Sequence, residues 1–161
     1  MTYRTKAMGW VAIALAVLFC AYGGWSYAQA RDDGATAYAT ARDAALTDGR
    51  RHVAGLSTAD ARSPQESLRT WLSASTGPLR DQLRKAGAPS GTAARATVTD
   101  AALTSLDDRA GTAELIATLR VELTPAGGRR TTDRKRLEAT LTRTADGWKV
   151  SELGAVPVGA P

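Results

Sequence analysis

The residues that could do chemistry are few: one histidine, a handful of neighbouring carboxylates, one cysteine and one basic cluster. His52 is the only histidine among the 161 residues. An imidazole can serve as a base, a pH switch or a metal ligand. A structural zinc site needs about four Cys, His or carboxylate ligands, and this chain offers one His and one Cys. His52 follows Tyr38 and Ala45 at multiples of seven residues. On a helix it therefore stands near the packed face and reads as a boundary histidine rather than a base. Asp32-Asp33 and Asp107-Asp108 are adjacent pairs, and neighbours on a turn point apart, so acid–base work is not expected of either. Asp100 shares an alternating pattern with Val98 and Leu106. If it faced an interior, its carboxyl would be desolvated and its pKa raised; a bulge or an arginine partner is the plainer expectation. Gly127-Gly128 and Asp146-Gly147 read as turns, not as a phosphate-binding loop opening a helix. No catalytic residue, metal ligand or cofactor is expected.

Composition narrows the classes further. The net charge is +5, and Arg4 and Lys6 account for part of it, so residues 31–161 hold nineteen basic and sixteen acidic side chains. The signs are intermixed. Beyond Tyr27 the aromatic residues are Tyr38, Trp71 and Trp148, too few for the stacking platforms of nucleic-acid binders. A nucleic-acid partner is not expected. The one cluster, Arg129-Arg130 with Arg134-Lys135-Arg136, reads as a solvated hairpin edge in preference to a phosphate or lipid-headgroup contact; basic residues on an edge also discourage strand pairing between chains. Arg outnumbers Lys seventeen to four and Asn is absent, a bias associated with GC-rich bacterial genomes.

Those side chains need elements to place them, and the first is apolar. Ala7 to Ala28 is a run of 22 residues without a charge, roughly 33 Å as a helix against a hydrocarbon core of about 30 Å. Trp10 near one end, and Trp25 and Tyr27 near the other, are placed as membrane-interface residues. Arg4 and Lys6 keep the N-terminus in the cytoplasm by the positive-inside rule. The reading is a plasma-membrane signal anchor over 8–30, with a cytoplasmic tail 1–7. A cleaved signal peptide competes: Trp10 to Tyr22 has the length of a secretory apolar core, and Ala28-Gln29-Ala30 fits a cleavage site. Either way the remainder is extracytoplasmic. Cys20 lies in the run. A single Cys makes no intrachain disulfide, and Phe19 before it does not fit lipidation.

Residues 31–57 read as a helix with Tyr38, Ala41, Ala45, Val53 and Leu56 on one stripe. Gly34, Gly49 and Gly55 each cost it about 1 kcal/mol against Ala, and a break is expected near Arg31–Asp33. Ser63-Pro64-Gln65-Glu66 is a helix start with a capping-box pattern, its buried face carrying Leu68, Trp71 and Leu72. Thr76-Gly77 ends that helix, and Pro78 opens another with Leu79, Leu83 and Ala86. From about Ala94 the period changes to two. Strands are expected over 96–106, 114–123, 136–143 and 148–153, with Leu115, Ala117, Leu119, Val121 and Leu123 of the second facing inward. Ala145-Asp146-Gly147 makes a tight turn. The fold class is α+β: an N-terminal transmembrane helix, then a cone-like domain (31–156) of about three helices on a curved antiparallel sheet of about four strands, with 157–161 a flexible C-terminus.

Three stretches carry a resemblance. They are Ala37-Tyr38-Ala39-Thr40-Ala41-Arg42-Asp43-Ala44-Ala45, then Ser75-Thr76-Gly77-Pro78-Leu79-Arg80-Asp81, then Asp146-Gly147-Trp148-Lys149-Val150, all behind a short basic tail and an apolar helix. In this order the chain resembles the Mce-associated membrane proteins of actinobacteria, Mce being the mammalian-cell-entry proteins. The resemblance implies a single-pass protein with an exported nuclear transport factor 2-like domain. It also implies a non-enzymatic accessory role, scaffolding or stabilising an Mce-type lipid or sterol import complex through protein partners at the bilayer. The alternative is an exported cone that binds a small hydrophobic ligand, or an enzyme of that fold, with Asp100, Tyr38 and His52 as its candidate residues. A dry cone opening of a few hundred Å³ favours the pocket; a filled cone favours the scaffold.

Overall fold

The computed structural model describes residues 3–156 apart from 90 and 126, with side chains for 18–26 and for the described part of 34–156. The chain divides into two units, Met1–Thr40 and Ala41–Pro161. Helix α1 spans Tyr3–Leu56 and is helical through 31–33, where a break was expected. In the first unit Leu18, Phe19, Tyr22 and Trp25 are exposed, as is Tyr38 at 47%. Tyr38 is thus not part of the buried stripe that its spacing suggested. That stripe begins in the second unit, with Ala45 and Val53 fully buried. Trp10, Tyr27 and residues 157–161 lie outside the described side chains. Among the described residues no helix is long and apolar enough to cross a membrane.

The second unit holds the end of α1, then α2 (Pro64–Ala74), α3 (Gly77–Ala86), β1 (Ala93–Asp107), β2 (Thr112–Thr124), β3 (Thr131–Thr144) and β4 (Gly147–Ala155). The strands form one antiparallel sheet in the order β1-β2-β3-β4. Short hairpins dictate that order, since consecutive strands joined by a few residues must be neighbours. Strict alternation in β2 buries Ala113, Leu115, Ala117, Leu119 and Val121 on one face. Leu141 and Ala139 of β3, and Trp148 and Val150 of β4, complete the same cluster with Ala45 and Val53. This is the α+β sheet-and-helix layer expected.

Two β-bulges matter. One falls between Val98 and Asp100, where Thr99 has no register partner. An extra residue shifts the parity of the strand after it, and Asp100 is exposed, opposite Thr118. The interior carboxylate weighed from the sequence is therefore not formed. The other bulge leaves Ser151 unpaired between Thr140 and Leu141. Its hydroxyl donates to the Thr140 carbonyl at 3.2 Å and accepts from the Thr142 hydroxyl at 3.1 Å.

The helix ends are held by different means. Pro64 starts α2 after Ser63, as its sequence indicates, but the Ser63 side chain makes no capping bond. Its backbone, φ −133° and ψ 61°, lies outside the extended region from which a cap hydroxyl reaches the N2 or N3 amide. Ser67 instead ties the preceding loop to the helix, accepting from the Asp60 amide at 2.9 Å. Gly87, at φ 74°, closes α3 with its amide on the Leu83 carbonyl, a left-handed cap that glycine adopts without a Cβ penalty. The α1–α2 connection is stitched to β1: Ala59 and Ala94 exchange two backbone bonds of 2.8 Å. Thr58 accepts from the Ala96 amide, and its carbonyl receives the Trp71 indole N–H at 2.8 Å.

Candidate functional site

The place to look for chemistry in a sheet wrapped on a helix is the space between them. Here it is filled. Gly49 of α1 is buried, and a Cβ built on it would stand 2.7 Å from Leu115 Cδ1 and 2.9 Å from Leu141 Cδ1. The helix backbone therefore rests directly on the leucines of β2 and β3, both fully buried. Sequence reasoning counted Gly49 only as a helix-weakening residue. In the fold, its missing side chain is what lets helix and sheet approach. Nothing in the local sequence signals this except an Asp-Gly pair inside an otherwise helical pattern.

Beside that contact is a polar cluster. Asp48 Oδ2 accepts the backbone N–H of Trp148 at 3.1 Å, and Oδ1 accepts from the Arg51 guanidinium at 2.8 Å. Gly147, at φ 103°, sits against the same carboxylate. Trp148 is buried, and Arg143 lies over its ring, 5.6 Å from the centroid. Lys149 pairs with Asp146 at 3.0 Å. His52, half-buried, is held below its usual pKa of 6.5, chiefly by burial and then by the Arg51 cation. Lys149 acts in the same direction, while Asp48 and a backbone hydrogen bond at Trp148 oppose it. A neutral imidazole could accept a proton, yet among the described residues no Ser, Cys or Thr side chain is hydrogen-bonded to it. Asp48, the residue that docks the terminal hairpin onto the helix, was not singled out from the sequence.

The other candidates have structural work. Asp107 accepts from the Ala110 amide within the β1–β2 turn, and Asp108 pairs with Arg143 at 2.6 Å. The side chains of Asp32 and Asp33 lie outside the described residues. Among the described residues no three His, Cys, Asp or Glu side chains gather as metal ligands. Of the buried side-chain polar atoms described, Arg80 Nε alone lacks a hydrogen-bond partner.

A cavity of about 440 Å³ does exist, at the end of the sheet, where Thr58–Arg62 meets the start of β1 and the end of β2. Asp60, Arg62, Arg95, Glu122 and Arg130 line it. It is charged and lies apart from the Gly49 contact, so it is not the dry cone a hydrophobic ligand would need.

No protein-family model matches the chain, and no curated protein sequence does. Solved structures do. The chain is similar to CagV, a VirB8 homolog of the type IV secretion system from Helicobacter pylori, with a TM-score of 0.56 and 11% identity over 73% of this chain and 99% of that one. It is also similar to an IcmL-like type IV secretion system protein from Legionella pneumophila, with a TM-score of 0.54 and 13% identity over 72% and 92%. A third is an NTF2-like protein involved in plasmid conjugation, with a TM-score of 0.51 and 11% identity over 73% of this chain and 49% of that one. The fold is nuclear transport factor 2-like. At these identities the likeness is one of fold, and fold does not fix function. Within this nuclear transport factor 2-like cone, two of the three stretches behind the sequence resemblance touch. The Thr76 amide donates to the Val150 carbonyl at 2.8 Å, and Ser75 bridges Val150 in parallel. Those stretches are the joint between the α2–α3 corner and the last strand, a structural role that any member of the fold with this joint would need.

Proposed function

We propose that this protein is a non-enzymatic, single-pass membrane accessory protein whose extracytoplasmic cone scaffolds a multiprotein envelope complex. The observation that carries the reading is the close helix–sheet contact: Gly49 rests directly on Leu115 and Leu141. What such a cone offers a partner is its outer surface. Fold likeness to proteins of type IV secretion systems supports an accessory role in a large assembly. The finer reading, from the sequence resemblance, is an Mce-type lipid or sterol importer in an actinobacterial envelope. The anchor is residues 8–30, with Trp10, Trp25 and Tyr27 at the interfaces. Arg4 and Lys6 hold the N-terminus in the cytoplasm. Anchoring raises the local concentration of the cone near membrane partners, so each contact can be weak.

The test is the mass and behaviour of the protein in membranes of its own host. Full-length mass, retention through carbonate extraction, and crosslinks from the cone to subunits of a lipid transporter are expected. A chain beginning at Arg31 and released as a soluble monomer without such crosslinks would overturn the reading.

A further inference from the structure

The β2–β3 register places two arginines directly opposite each other. Arg120 pairs with Arg134, and Arg136 stands one step along the same face, opposite Thr118. Leu119 and Val121 on either side of Arg120 are buried, so Arg120 points away from the core. All three arginines are exposed. Like charges directly opposed across a strand pair cost stability, and no acid relieves them: among the described residues none of the three takes part in an ion pair. Their neighbours show the contrast. Arg130 reaches Glu122 at 3.7 Å, and Arg143 holds Asp108. Three carboxylates border the patch on this face: Asp100, Glu138 and Glu122, of which Glu122 lies two residues from Arg120. Glu122 pairs with Arg130, and none of the three pairs with Arg120, Arg134 or Arg136.

We infer that this arginine face docks on an anionic phospholipid surface. Guanidinium groups grip phosphate oxygens through two parallel hydrogen bonds. Neither β2 nor β3 carries an aromatic residue, so the face lacks the stacking platform of a single-strand nucleic-acid binder. Of the residues that anchor protein interfaces, it offers arginine without the Trp or Tyr that would fill a partner's pocket. Charge without such anchors suits adsorption to a charged membrane plane. The inference rests on the anchored reading above for its effective concentration, not for its chemistry. The sequence alone made these residues a solvated edge; the cross-strand opposition, visible only in the register, is what changes the assignment.

The experiment uses the full chain with an environment-sensitive fluorophore on Thr132→Cys, beside the patch, and Cys20→Ser. It is reconstituted in vesicles of phosphatidylcholine alone or with a third phosphatidylglycerol. Flotation with both kinds is expected. So is a blue shift only with phosphatidylglycerol, reversed on raising salt from about 0.05 to about 0.5 M. The variant R120Q/R134Q/R136Q should lose the shift, each arginine contributing about fivefold to adsorption. Because it removes an opposed like-charge pair, its melting temperature should not fall; if it does, R136Q alone, opposite Thr118, replaces it. Flotation with both vesicles but identical emission overturns the docking face and leaves the anchor. Salt-sensitive flotation with the anionic vesicles only overturns the anchor and keeps the face. Flotation with neither overturns both. A shift produced by soluble polyglutamate and not by phosphatidylglycerol overturns the lipid assignment in favour of an acidic polypeptide.

Discussion

Gly147 sits so close to Asp48 that a Cβ added to it would come within 2.9 Å of the carboxylate oxygen Oδ2, the atom that receives the Trp148 amide. A residue on the first helix thus fixes a turn one hundred positions later. The Asp-Gly-Trp sequence is usually accounted for by the turn itself, since Gly147 at φ 103° suits glycine. Here the glycine has a second reason, the nearness of the aspartate.

Asp48→Ala should therefore destabilise the domain by about 1–3 kcal/mol, the cost of leaving a buried amide without its acceptor. Asp48→Asn should cost less, because an amide oxygen can still accept. Gly147→Ala combines backbone strain with the close contact and should cost about 1–3 kcal/mol. In the double variant Asp48→Ala/Gly147→Ala the contact is gone, so the two costs should add to less than their sum. Urea unfolding of the four proteins, followed by far-ultraviolet circular dichroism, measures all of this. Full additivity would show that the two residues do not interact.

Gly49 and Gly55 lie in the same helix and make opposite predictions. A Cβ at Gly49 meets Leu115 and Leu141 well inside van der Waals distance, whereas at Gly55 it meets Thr70 Cγ2 at 3.6 Å. Gly49→Ala overpacks the core and should cost about 1–3 kcal/mol. Gly55→Ala reaches ordinary contact and should gain about 0.5–1 kcal/mol from helix propensity. Thermal unfolding of the pair is the check: equal shifts of either sign would mean that propensity, not the helix–sheet contact, governs both positions.

These contrasts mark what the sequence can and cannot show. Period-two alternation in β2 and the turn at Asp146-Gly147 were legible because each is a local pattern with a local cause. Pairing order followed from short connections. The strand ends were harder: Arg134 and Lys135 lie in β3 although its apolar alternation begins only at Leu137. Asp100 was ambiguous because the bulge at Thr99 reverses the parity only as far as a second register shift between Leu103 and Ser105, and neither Thr99 nor Thr104 carries a mark of it. Asp48 and Gly49 were illegible as contacts because their partners lie on other elements. The close approach of helix and sheet follows from the second of them.

Arg143 gives a testable account of the other side of the Trp148 corner. It pairs with Asp108 through one guanidinium nitrogen and bonds the Asp108 carbonyl through another, while its plane covers Trp148. Both side chains are partly exposed, 44% and 38%, so the ion pair contributes no more than about 1 kcal/mol. Stacking on the indole adds about 0.5–1 kcal/mol. Arg143→Ala should cost about 1–2 kcal/mol and Asp108→Asn about half of that. The coupling in a double-mutant cycle should shrink in high salt. A coupling indifferent to salt would mean that the backbone bond, not the charge pair, links the residues.

The pH dependence of stability tests the environment of His52. Burial and the Arg51 cation hold its pKa below 6.5 in the fold, so the unfolded chain binds its proton first as pH falls. Above 6.5 the imidazole is neutral in both states and contributes no slope. As pH falls through 6.5 and toward the lower folded value, the unfolded state binds more protons than the native one, and stability decreases. Below the folded value the loss is complete and the slope from this group ends. The charged groups facing His52 on its own helix are Arg51 and Asp48, and from β4 Lys149. Urea midpoints between pH 7.5 and pH 5 should fall for the natural chain and fall less for His52→Gln, which keeps a polar side chain without the titration. Parallel curves for the two proteins would show that His52 is as well solvated in the fold as in the unfolded chain, and the packing assigned to this corner would then be wrong.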